Sequence, residues 1–91
     1  MRKTNDQETF TQAKLALMED IADGALTVGQ AVRRMREITG LTQLEFARNV
    51  ADITVRTLNE IETGKANPTV ETLNKIAGPF GYQVGLIRKN L

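Results

Sequence analysis

Two threonines twelve residues apart, Thr42 and Thr54, each carry the signature of a helix start. Thr42 has Glu45 three residues on, so its hydroxyl can take an orphan backbone N–H while the carboxylate reaches back to the cap. Leu41 and Phe46 flank it at the spacing of a hydrophobic staple. Thr54 repeats the pattern in part, with Ile53 and Leu58 as staple partners and Thr57 where the acid would stand. Between the two starts there is room for one helix of about two turns and a tight turn. The spacing predicts two short helices. The first buries Phe46, Ala47 and Val50; the second buries Leu58 and Ile61 and turns Val55, Arg56, Asn59 and Glu60 outward on one face.

Such short elements suit a small helical domain, and 91 residues with 41% apolar content support one. A chain of this size buries only about 60 to 65% of its unfolded surface, so a second copy is an expected source of stability. Cysteine and histidine are both absent. That removes disulfides, thiolate and Ser-His nucleophiles and nearly every zinc site, so no enzyme, metal or cofactor is expected. No apolar run is long enough for a membrane span and no signal-peptide pattern opens the chain, which predicts a soluble cytoplasmic protein. Twelve basic against eleven acidic residues leave only +1. Residues 1–24 hold three basic and five acidic side chains, a net −2, and residues 25–91 hold nine against six, a net +3. The basic charge belongs with the two-helix motif.

Periodicity divides the chain into a helical extension at 1–24, a central helical domain at 25–81 and a closing segment at 82–91. Phe10, Ala13, Leu17 and Ile21 lie at near-helical spacing in a helix expected from about Asp6 to Asp23, with Thr4 and Gln7 as its capping signal and Gly24 as its stop. Thr27 with Gln30 opens the next, with Val28, Ala31, Val32, Met35 and Ile38 inward, Arg33, Arg34 and Arg36 on its polar face, and Gly40 at its end. Gly64–Pro68 is a loop, and Thr69 caps a helix with Val70, Leu73, Ile76 and Ala77 inward. Gly78-Pro79 should end or distort that helix. In the closing segment Tyr82, Val84 and Leu86 alternate, the only strand signal in the chain. A lone strand leaves its backbone unpaired, so the expected partner is the same strand of a second copy across a two-fold axis. The alternative is an extended tail laid on its own core.

Residues 28 to 80 resemble the Cro/cI-type helix-turn-helix family, on Arg36, Gly40-Leu41-Thr42-Gln43, Phe46-Ala47, Leu58-Asn59-Glu60-Ile61-Glu62-Thr63-Gly64-Lys65 and Pro68-Thr69, all in register. The resemblance implies an all-α fold, a lambda-repressor-like five-helix DNA-binding domain, here with an extra N-terminal helix and a short C-terminal β-strand that pairs across a dimer. It implies that Gln43 donates to a DNA phosphate, assisted by its helix N-terminus. Arg36 and Glu62 match a family ion pair that leaves the arginine near phosphate, and Lys65 matches a loop that meets the DNA backbone. Thr54, Val55, Arg56, Asn59 and Glu60 fall where the family reads base edges in the major groove. Arg56 suits guanine, Val55 a thymine methyl and Asn59 adenine, while Glu60 either accepts from cytosine or pairs with Arg56. The bland alternatives are a solvated glutamine, two independent charges at Arg36 and Glu62, and a lysine that serves solubility.

Two departures from the family pattern stand out. The turn Val50-Ala51-Asp52-Ile53 is one residue longer than usual with Asp52 where glycine is common, and Gly78-Pro79 interrupts the last helix. The closing Gly-Tyr-x-Val-x-Leu run looks like the HipB-type subgroup, dimeric antitoxins that repress their own operon and bind a HipA-like kinase toxin. The resemblance therefore implies a homodimeric repressor on a palindromic double-stranded operator, cytoplasmic and associated with the nucleoid, with a HipA-like toxin as a further partner. The competing reading is a protein-interaction module that neutralises a partner, with DNA binding incidental or lost; the acidic extension and Glu60 favour it.

Overall fold

Thr27, Thr42, Thr54 and Thr69 each hold extended backbone, and each hydroxyl accepts the N–H three residues on, at Gln30, Glu45, Thr57 and Thr72, all at 3.1 Å. At Thr27 and Thr42 the capping box is complete, because the Gln30 and Glu45 side chains accept the cap N–H at 2.9 and 3.0 Å. Each such cap contributes about 1 kcal/mol, enough to fix where short helices begin. The computed structural model describes residues 2–88, with side chains from residue 8 onward. Its helices are α1 (Arg2–Ala22), α2 (Val28–Thr39), α3 (Gln43–Phe46, continued by a π-helical turn Ala47–Ala51), α4 (Val55–Glu62) and α5 (Val70–Ala77). The helix α1 begins ahead of Thr4, so that residue lies inside it rather than at its cap.

Five α-helices are present among the described residues, α1 included, so the domain itself has four rather than five, and α5 gives way to a 3-10 turn at Gly78–Phe80, where Gly78-Pro79 was expected to end or distort it. Pro79 is the cause, since it cannot donate to a continuing ladder. Gly81, at φ 85°, then reverses the chain and the Tyr82 N–H reaches the Ala77 carbonyl at 3.1 Å.

The core is made of Leu17, Val32, Met35, Phe46, Ala47, Ala51, Leu58, Ile61 and Ile76. Phe46 is fully buried and stacks on Phe80 with ring centroids 6.3 Å apart. From α1, Leu17 is buried in this core and Ile21 packs against it, and the Asp20 carboxylate accepts from Arg34 of α2 at 3.0 Å. No polar residue is buried as a whole among the described residues, although the side chain of Glu62 is only 3% exposed. The buried stripe of α2 is Gly29, Val32 and Met35, and Val28, expected inward, is half exposed. Gly29 sets this phase. It lies against the C-terminal end of α4, where a Cβ would be driven into the Ile61 carbonyl oxygen and would sit 3.1 Å from that of Glu62.

The segment that leads into the turn changes its winding. Residues Ala47–Ala51 form a π-helical turn, whose hydrogen bonds close over one more residue than those of an α-helix, and the loop begins after it. Asp52 then adopts the left-handed conformation at φ 53°, ψ 50°, and the Asp52 and Ile53 N–H groups both bond the Ala47 carbonyl.

The expected C-terminal strand does not form within this chain. Residues 82–88 have no regular secondary structure, because no other extended segment among the described residues offers them a ladder. Tyr82 packs on the core, and the Val84 N–H is taken by the Asn74 side-chain carbonyl at 2.8 Å. Beyond it Leu86 and Ile87 are 103% and 89% exposed.

Two stability changes follow. Gly29→Ala should gain about 1 kcal/mol in helix propensity and lose more by forcing α2 from α4, for a net destabilisation of about 2 kcal/mol in urea titration. Asp52→Gly should raise stability by roughly 0.5 kcal/mol, because relief of left-handed strain outweighs the entropy of glycine, whereas Asp52→Val should lower it by about 1 to 2 kcal/mol.

Candidate nucleic-acid interface

Helix α4 is held at its C-terminal end by Glu62. Its carboxylate receives Arg36 Nε at 2.8 Å and Arg36 Nη2 at 3.1 Å, a two-point pairing across α2 and α4, while Arg36 Nη1 donates to the Leu41 carbonyl at 3.2 Å. The Glu62 side chain is only 3% exposed and that of Arg36 16%. A third donor, Gln43 Nε2 at the start of α3, reaches Glu62 Oε1 at 3.0 Å. Burial pushes the Glu62 carboxyl up, but the hydrogen bonds from Arg36 and Gln43, helped by the charges of Arg36 and Arg33, more than offset it and hold the group below the usual glutamate range. The reciprocal hydrogen bond to Glu62 outweighs desolvation at Arg36 and raises the guanidinium above its ordinary value.

This cluster changes the sequence-based roles of its members. Arg36 donates three of its five N–H groups inside the protein, so its first role is to tie α2 to α4. Gln43, expected to meet phosphate, gives one amide proton to Glu62 and keeps one. Its Oε1 lies 3.4 Å from Asn59 Nδ2, so α3 and α4 are bridged by side chains at the surface. That bridge has no local sequence signal, because Gln43 and Asn59 lie on different helices.

The other candidates occupy the outer face and end of α4. Arg56 is 86% exposed and its Nε is 3.4 Å from Glu60 Oε2, the pairing weighed from the sequence. An exposed i,i+4 pair of this kind contributes about 0.3 to 0.5 kcal/mol, so Arg56 is easily drawn away by a stronger acceptor. Val55 is 41% exposed at the first turn. The Thr54 hydroxyl is used twice, accepting the Thr57 N–H and donating to Thr57 Oγ1 at 2.9 Å, which makes it a cap. Lys65 follows Gly64, at φ 79°, on a loop pinned by the Lys65 and Ala66 N–H groups to the Glu60 carbonyl at 2.8 and 3.1 Å, and its side chain is exposed.

Two short helices joined by a tight turn, the second offering Val55, Arg56, Asn59 and Glu60 to solvent, define a helix-turn-helix domain. Residues 32–87, more than half of the chain, match the family model described as Helix-turn-helix. The chain belongs to the Cro/cI-type helix-turn-helix family, whose members are DNA-binding transcription regulators and not usually enzymes. No curated protein and no solved structure matches it. No helix among the described residues is long and apolar enough to cross a membrane.

Because Glu62 is nearly buried, Glu62→Ala should cost about 3 kcal/mol at pH 7 by leaving the Arg36 charge unpaired. The folded-state carboxyl lies below its unfolded value of about 4.3, so the pair's contribution is complete above that value and is lost as pH falls through the folded one. The stability gap between wild type and Glu62→Gln should therefore narrow below about pH 4, measured by urea unfolding across a pH series.

Proposed function

We propose that this protein is a sequence-specific transcriptional repressor that binds a palindromic operator as a homodimer. Each protomer lays α4 in a major groove, on half-sites about one helical turn apart. Arg56 reads guanine, Val55 meets a thymine methyl and Asn59 reads adenine. Gln43 offers its second amide proton to a phosphate and Lys65 its ammonium. Arg36 adds what its remaining N–H groups can reach. Repression follows by occlusion of a promoter, most simply the protein's own.

The observation that carries this reading is the α4 face itself. It is exposed, has a long cation in its first turn and is fixed at its C-terminal end by the Arg36–Glu62 pair. Support for a second copy comes from the closing segment, where Leu86 and Ile87 project into solvent beside an open apolar groove lined by Ile21, Leu26, Val28 and Leu73. The alternation of Tyr82, Val84 and Leu86 is that of a strand, which a second copy could pair. The same segment supports the finer reading of a HipB-type antitoxin acting with a HipA-like kinase, and a kinase-like reading frame beside the gene is the observation that tests it.

Purified protein should retard random duplex DNA weakly at low salt and lose it steeply as salt rises, with a slope set by few phosphate contacts. Absence of retardation at low salt rejects the repressor reading in favour of a protein-interaction module. In a site selected from a random pool, Arg56→Ala should relax preference at one base pair per half-site by about 1 to 3 kcal/mol. In sedimentation, the wild type should be a dimer and the doubly substituted Leu86→Asp, Ile87→Asp protein a monomer.

A further inference from the structure

Glu62 can only accept hydrogen bonds as a carboxylate, and this fixes the direction of every bond that leads outward from it. Gln43 must present Nε2 to Glu62 Oε1, at 3.0 Å, which leaves the Gln43 carbonyl oxygen pointing the other way. That oxygen can only accept, so Asn59 must turn its Nδ2 toward it, at 3.4 Å. The consequence lies at the far end of the chain. Asn59 keeps one amide proton and an Oδ1 that has no partner among the described residues, on the exposed face of α4. One acceptor beside one donor is the pattern complementary to adenine N6 and N7, whereas two donors would suit guanine O6 and N7.

We propose that Glu62 and Gln43 are positioning residues for base specificity, holding the Asn59 amide in the orientation that selects adenine. The inference deepens the DNA-reading role of α4 and rests on it. Neither Glu62 nor Gln43 touches the base that they specify. The start of the chain is Arg36, whose guanidinium has donors only and which, as the first link, keeps the carboxylate ionised and in place.

The link that bears on the base is Gln43. Glu62→Gln leaves it in place, because a carbonyl at the Oε1 position still accepts from Arg36 Nη2 and Gln43 Nε2 and only the Arg36 Nε contact is lost. In Gln43→Met the acceptor that holds Asn59 Nδ2 is gone, so the Asn59 amide is free to turn and the adenine preference at one position of the half-site should fall, although residue 43 does not touch that base.

The experiment is site selection by the wild type from a random duplex pool, followed by competition among four duplexes that differ at a single position. Wild type should favour adenine there by about tenfold. Asn59→Ala should lose that preference. Gln43→Met, which leaves the Arg36–Glu62 pair intact, should flatten it. Circular dichroism checks each variant. An adenine preference retained in folded Gln43→Met overturns the proposal, as does an Asn59→Ala protein that selects the wild-type site unchanged. In that last case Arg56→Ala still alters selection and the repressor reading stands, whereas a wild type that binds no DNA brings down both. The free protein gives a separate readout. The side-chain amide resonances of Asn59 in a 1H–15N spectrum should shift in Gln43→Met, and unshifted resonances also overturn the proposal.

Discussion

Glu62 carries its charge to a position where 3% of the side chain meets solvent, and an isolated carboxylate so placed costs several kcal/mol. Arg36 makes the position tenable. Its two parallel donors satisfy both carboxylate oxygens, and its third contact, to the Leu41 carbonyl, ties in the segment that leads to the Thr42 cap. One ion pair therefore joins α2, the segment that leads into α3 and the end of α4, three elements whose buried side chains meet in one core. Hydrophobic burial pulls these helices together without regard to direction, whereas the planar guanidinium sets an angle. Gly29 completes the arrangement, because only a residue without a Cβ lets α2 approach the carbonyls of Ile61 and Glu62.

What the sequence disclosed divides according to distance along the chain. The threonine caps were legible because the donor and acceptor lie within four residues, and each of the four predicted after the first helix is present. Thr4 failed as a cap because the backbone was already helical at Arg2, where no local competitor stops it. The outward placement of Val55, Arg56, Asn59 and Glu60 followed from helical period, and the Arg36–Glu62 pairing from family register. Gly29 gave no signal, since the close approach that requires it involves a helix far along the chain. It also displaced Val28 from the expected stripe, for two neighbouring residues cannot both face the same partner. The Gln43–Asn59 bridge was hidden for the same reason. The closing strand is a different case, because a strand is a relation between two backbones and the chain holds only one.

Charge is distributed in keeping with these constraints. The acidic N-terminal segment meets the domain through Leu17, Ile21 and the Asp20–Arg34 contact, so part of its negative charge is matched internally by a basic residue of α2. On α4 the near-buried carboxylate is neutralised by Arg36, while Glu60 stays close to Arg56 at the surface. The face thus carries little net charge and depends on the placement of individual donors and acceptors for what it can distinguish.

The π-helical turn at Ala47–Ala51 has a consequence for how such domains change. One residue added to an α-helix rotates everything after it by about 100°, which would swing Ile53 and Leu58 out of the core and turn the reading face away. A wider turn such as Ala47–Ala51 takes up an added residue and its rotation together, and Asp52 closes it in the left-handed conformation. Loop length is thereby separated from the aim of α4, and a lineage can gain or shed a residue at this place while the face that it presents stays in phase.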